Sequence, residues 1–356
     1  MEVCRKHPGE TNLFCKDEQR AFCPFCEFSL HQSHKVVPVE EAVRELKEEL
    51  KSDLKSLQDK KMKYKEVEET YNQMIQHSKK QLLSTETQIR AEFNKLQQFL
   101  KEEEESRLAA LREEEEQKRK TQSCRKTRRR SSAVLKTLRA ESRAQSSLSD
   151  PQLLSGALID VAKHVGNLSF RVWEKMKEKV HFSPVLLDPN TAASSLHLSD
   201  DLTSVRRGET PQQLPDNPER NMEYADVFGS EGFRSGKHSW EVEVGDHPYW
   251  FIGVVKESVN RKGECSASPK DGFWCLEQDD GKYTNGDDQT LTVTKSLQKI
   301  RVQLDYDRGE VSFYNPEDMT HIYTHKDTFT EKLLPYFNVG KSGDAKTSKL
   351  QICPTD

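Results

Sequence analysis

Leu46, Leu50, Leu54 and Leu57 recur at spacings of four, four and three, and Ile75, Ser78, Leu82, Thr85, Ile89, Phe93, Leu96 and Leu100 continue at mostly helical steps. Nothing from residue 42 onward breaks a helix until Pro151 and Gly156. The pattern predicts one long helix over 42–120 carrying a narrow apolar stripe, wide enough for a partner helix and too narrow for a globular core. About 80 residues at ~1.5 Å each would extend roughly 120 Å. A solitary charged helix, suggested by LREEEEQKRK alone, is the alternative, but the stripe runs through many turns and self-association is the simplest way to bury it. The spacing does not separate parallel from antiparallel pairing.

The stripe ends early. After Leu111 no large apolar residue occurs until Val134, and TQSCRKTRRRSSAVLKTLRAESRAQSS reads as irregular. Residues 121–183 are therefore expected to form an irregular linker with short helices. Its 121–149 part breaks most sharply with the helical pattern before it. Within the linker, Ser169 is placed to cap FRVWEKMKEKV, whose Phe170, Trp173, Met176 and Val180 share one helical face, fit to dock on a neighbouring domain.

From residue 184 the period changes from helical to twofold. In HSWEVEVG, Trp240, Val242 and Val244 alternate with Glu241 and Glu243, and RVQLDYDRGEVSFYN reads as a hairpin turning through Asp307, Arg308 and Gly309. Short alternating runs between Gly and Pro turns predict an all-β sandwich over 184–356, large enough for its own core.

Composition sharpens this organisation. The 356 residues are 32% charged against 33% hydrophobic, with a net charge of −4, and that balance suits a long solvated helix better than a single globule. The near-neutral total argues against a general nucleic-acid binder, and KTRRRSS lacks the aromatic platform of one. No apolar run approaches the roughly 20 residues of a membrane span, and no signal core precedes His7. A soluble chain is expected, in the cytoplasm, with the nucleus a second candidate.

Eight cysteines complete the picture, because Cys4, Cys15, Cys23 and Cys26 crowd the first 26 residues while Cys124, Cys265, Cys275 and Cys353 are scattered. Residues 1–41 resolve into four pairs with the same two-residue spacer: Cys4 and His7, Cys15 and Glu18, Cys23 and Cys26, His31 and His34. Such a spacer lets two side chains reach one tetrahedral Zn²⁺, so eight ligands make two closed sites, two zinc ions per chain, structural rather than catalytic. Asp17 competes with Glu18 for the carboxylate place. In the sandwich, His238, Asp246, His247 and Cys275 could be combined on paper into a nucleophilic site, but no motif positions a nucleophile. The chain is expected not to be an enzyme.

The paired ligands resemble a type 2 B-box of the tripartite-motif (TRIM) family, and the C-terminal phrases resemble its PRY-SPRY domain: LDPNTA at 187–192, LSDDLTSVR at 198–206, LPDNPER at 214–220, GSEGFRSGKHSWEVEVG at 229–245, GFWCL at 272–276, LDYDRGEVSFYN at 304–315 and PYF at 335–337. The resemblance is to fish members similar to nuclear factor 7 and zinc-binding protein A33. It implies a multidomain chain of small zinc-binding B-box, long α-helical coiled coil and C-terminal all-β PRY-SPRY sandwich. It also implies a cross-brace with Cys4, His7, Cys23 and Cys26 on one ion and Cys15, Glu18, His31 and His34 on the other, and an antiparallel dimer.

Loops at one end of the sandwich would then recognise a protein ligand, with Asp246, His247, Tyr249, Trp250, Glu277, Gln278, Asp279, Asp280, Phe337 and Asn338 as candidates, and Trp250 equally a core residue. The expected function is a dimeric adaptor, self-paired or paired with TRIM relatives, that regulates ubiquitination or innate immune signalling without touching nucleic acid or membrane. Family members with a RING ahead of the B-box are ubiquitin ligases. This chain shows no second set of paired ligands, so it reads as a RING-less member, the alternative being a ligase whose RING the gene model lacks.

Overall fold

The computed structural model describes residues 5–8, 12–139, 156–287, 289–293, 295–343 and 349–355. It separates into two units, 1–78 and 79–356.

In the first unit, β1 (Leu13–Cys15) pairs antiparallel with β2 (Arg20–Phe22) on one side and β3 (Val36–Pro38) on the other. Between β2 and β3 lie α1 (Pro24–Glu27), begun by Pro24 at its first turn, and a 3₁₀ turn over Phe28–His31. The apolar interior is little more than Cys15, Phe22, Cys23 and Ala42, while Phe25, Phe28 and Leu30 face outward. So small a core does not stabilise a fold without help.

One helix, α2, runs over Val39–Arg139. It continues well past residue 120, where an irregular linker was expected. Loss of the stripe ends the burial pattern, not the helix: 121–139 hold neither Pro nor Gly, and backbone hydrogen bonding needs no apolar face. Residues 140–149 of the divergent stretch lie outside the described residues. The stripe is solvent-exposed in the single chain: Leu50, Leu54, Leu82 and Phe93 are each more than half exposed. Among the described residues no helix is long and apolar enough to cross a membrane.

Residues 156–177 return along α2 as α3 (Val161–Val165) and α4 (Leu168–Lys177). The contact is polar. Glu114 accepts from the Asp160 backbone at 3.0 Å and from His164 Nε2 at 2.6 Å, and Lys118 bridges to the Gly156 carbonyl. These donors, the Asp160 amide first, hold the Glu114 carboxyl down at about 2. Lys175 reaches buried Glu103 at 2.8 Å. The predicted apolar docking face of α4 is not what docks, since Phe170 and Trp173 remain about half exposed. Its N-cap is Asn167 with φ of 52°, and Ser169 lies inside the first turn.

The sandwich has two antiparallel sheets. One is ordered β14 (Thr320–Lys326), β13 (Glu310–Asn315), β12 (Lys299–Asp305), β7 (Lys237–Glu243), β16 (Lys349–Ile352), β5 (Ser204–Arg207), β4 (Leu196–Leu198). The other is ordered β11 (Thr290–Leu291), β10 (Lys282–Thr284), β9 (Phe273–Asp279), β8 (Tyr249–Lys256), β15 (Leu333–Val339), β6 (Asp226–Phe228). The predicted alternation holds: Trp240, Val242, Val302, Leu304, Val311 and Phe313 point into one core with Trp250, Ile252, Trp274 and Phe337 opposite. The β12–β13 hairpin turns at Gly309, whose φ of +70° and closeness to the Asp327 carbonyl leave no room for a Cβ.

The sheet containing β8 is covered on its outer face as well. Phe228, Phe251, Val255, Phe273, Cys275, Leu334 and Tyr336 form a second, smaller core there. Within that sheet Gly253 allows β8 to lie close against β9, because a Cβ would strike the Trp274 carbonyl oxygen at 2.1 Å.

Candidate metal centres and binding face

The two-residue spacers are tight turns that aim paired side chains inward. Cys23 precedes Pro24 at the start of α1, and the Cys26 amide donates back to the Cys23 carbonyl at 3.1 Å. His34 repeats the turn on His31 at 3.0 Å.

Two groups of ligand atoms result, His7 with Cys23 and Cys26, and Cys15 with His31 and His34, each within 4.8 Å of one another. In the first, His7 Nδ1 lies 3.4 Å from Cys26 Sγ and 3.9 Å from Cys23 Sγ. Cys4, its expected fourth member, lies outside the described residues. In the second, His34 Nδ1 lies 3.5 Å from Cys15 Sγ and 3.2 Å from His31 Nδ1.

Glu18 adjoins the second group on its histidine side, with Oε1 at 3.4 Å from His34 Nδ1 and 3.6 Å from His31 Nδ1, but is not within 4.8 Å of all three members. Ligands about 2.0 to 2.3 Å from a tetrahedral zinc stand about 3.3 to 3.8 Å apart, so the spacings among Cys15, His31 and His34 suit neighbouring ligands of one ion, and Glu18 needs a side-chain shift to join them. Arg20 Nε donates to the other Glu18 oxygen at 2.9 Å, as outer partners of ligand carboxylates do. Asp17 is committed elsewhere, accepting the Lys35 amide at 2.7 Å.

The structure divides the ten predicted partner-binding residues. Asp246, Asp279 and Asp280 are exposed, and Tyr249 and Glu277 half-buried. The other five are buried, Trp250 as the core residue it was equally expected to be. Trp250 and Phe337 belong to the main core. His247 is buried and accepts from the Tyr249 amide, and Gln278 sits against the carbonyls of His247 and Pro248. Asn338 donates to Asp226 at 2.6 Å. Alternation explains Trp250 and Phe337, which sit on the inner faces of their strands, whereas His247 is buried in the turn before β8 and Asn338 lines the outer side of the sheet.

No nucleophilic site assembles from the residues considered for one. His238 stacks on Phe233 at 3.9 Å, whereas Cys275 is fully buried, its thiol pushed far up by desolvation.

What the sequence reading missed is a cavity of about 110 Å³ on the outer side of the β8 sheet, lined by Tyr224, Asp226, Tyr249, Phe251, Phe273 and Tyr336 among others. Asp226 is 5% exposed, and burial raises its carboxyl to about 6 against the pull of its hydrogen bonds from Asn338 and Tyr336. The signal was present as one acid inside the otherwise apolar run ADVF.

Three family models match the chain: the B-box zinc finger over residues 1–39, the SPRY-associated domain over 185–233 and the SPRY domain over 237–352. Nuclear factor 7, ovary, of Xenopus laevis is 35% identical over 97% of this chain and 63% of its own length. The chain thus spans under two thirds of that relative. The human E3 ubiquitin-protein ligase TRIM35 is 31% identical over 99% of this chain and 78% of its own length, and human zinc finger protein RFP is 31% identical over the same shares. Among solved structures, the TRIM65 PSpry domain aligns with 60% of this chain and 99% of its own at 21% identity and a TM-score of 0.42.

Proposed function

The chain belongs to the tripartite-motif family, and from that premise we propose that it works as a dimeric, zinc-braced adaptor whose sandwich selects a protein partner. The observation that carries this reading is the exposed stripe on α2, from Leu46 through Leu100, which one chain leaves in water. A second helix covers it at little entropic cost, because both helices are already formed. Two sandwiches on one coil then raise avidity without any new contact.

Zinc in the two ligand groups supplies the folding energy the small first unit lacks, on the order of 10 kcal/mol. Closed four-ligand sites hold no position for substrate or activated water, so the metal braces the module.

Ligase chemistry by this chain alone is the rival, favoured by the names of its relatives. The sandwich thiols speak against a covalent ubiquitin carrier there: burial raises Cys265 and Cys353, and Cys275 is inaccessible. Autoubiquitination with a panel of E2 enzymes, run beside an intact family member, tests the two. Altered activity of the intact protein on mixing supports the adaptor; robust ubiquitin chains from this protein alone overturn it.

A further inference from the structure

The cavity beside Asp226 is built from parts that suit one kind of guest. Its walls are the rings of Tyr224, Tyr249, Phe251, Phe273 and Tyr336, and its polar floor is a carboxylate 5% exposed. That carboxylate is held by two neutral donors, Asn338 Nδ2 at 2.6 Å and the Tyr336 hydroxyl at 3.2 Å. Hydrogen bonds of this kind orient a charge but do not neutralise it. Glu277 and Asp279, on the neighbouring β9, add negative potential at Tyr249, opposed in part by Arg207. Aromatic faces attract cations most strongly where water is excluded.

We propose that this cavity receives the cationic end of one lysine or arginine side chain presented by the protein partner. The proposal rests on the reading of the sandwich as a recognition module and specifies what that module selects. About 110 Å³ admits the end of one side chain rather than a folded segment, so the basic residue is an anchor surrounded by shallower contacts. Tyr224, 43% exposed at the mouth, would lie over the entering stem. The carboxyl, at about 6 in the free protein, is mostly ionised at neutral pH, and a cation in the cavity draws it down further.

The test is selection of random twelve-residue peptides on phage against the full chain, with the Asp226→Asn chain as comparison. Asparagine keeps an oxygen for Asn338 and Tyr336 while removing the charge, and circular dichroism with a thermal melt verifies that the variant is folded. We expect enriched peptides to share a Lys or Arg whose replacement by Gln weakens binding at least about tenfold, with a similar loss on Asp226→Asn and a smaller one on Tyr224→Ala. Peptides that lack a basic residue, or that bind Asp226→Asn equally well, would overturn the cationic anchor and leave the adaptor reading standing. Enrichment of no peptide at all would count against the recognition module itself.

Discussion

Asn338 and Asp226 lie 112 positions apart in sequence, yet the Asn338 amide donates to the Asp226 carboxylate at 2.6 Å across adjacent strands β15 and β6. The pair gives a buried acid a fixed orientation without a compensating charge.

A consequence for stability follows from that burial. The Asp226 carboxyl is raised from 3.8 to about 6, so folding takes up a proton in that interval. Its contribution is fully present below about pH 4, declines as pH rises towards 6 and is lost above it. Asp226→Asn should therefore melt higher than the parent at pH 7, by up to about 3 kcal/mol, with the difference shrinking near pH 4. Paired thermal melts across that range measure it, and a variant less stable at pH 7 would contradict the assignment.

Zinc content separates the two neighbouring acids. The purified chain should carry two zinc ions by elemental mass spectrometry. Glu18→Ala should weaken one site at least about tenfold, whereas Asp17→Ala should retain both ions and lose about 1 kcal/mol from the missing Lys35 hydrogen bond. Cys26→Ala should unfold the module outright. One ion in the parent chain would refute the two-site arrangement.

The stripe predicts oligomeric state. Sedimentation equilibrium at tens of micromolar should give a dimer, and Leu96→Glu with Leu100→Glu should return it to monomer, because like charges would meet where apolar contact is required. A parent chain that sediments as a monomer would remove the basis for avidity.

Arg220 predicts a scaffold effect. It is 2% exposed and donates to the carbonyls of Pro215, Pro189 and Ala192, tying the segment before β6 to the 187–192 turn. Arg220→Leu should cost about 3 kcal/mol or more by leaving those acceptors unmet, and Arg220→Lys should recover only part, since one ammonium does not span three carbonyls. Chemical denaturation would report both.

By itself, the sequence determined the elements whose signal is local. Ligand pairs two residues apart announce a turn and a metal, Leu46 to Leu57 announce a helix face, and the alternation in HSWEVEVG announces a strand with one buried side. Each is written in consecutive residues, so no knowledge of the partner segment is required. Tertiary structure decided what depends on distant chain segments meeting. It turned Trp250 and Phe337 into core because the opposite sheet covers them. It also covered the outer face of β8, so that one acid in ADVF became the floor of an aromatic cavity. Burial is a property of two surfaces, and only one of them is present in any local stretch of chain.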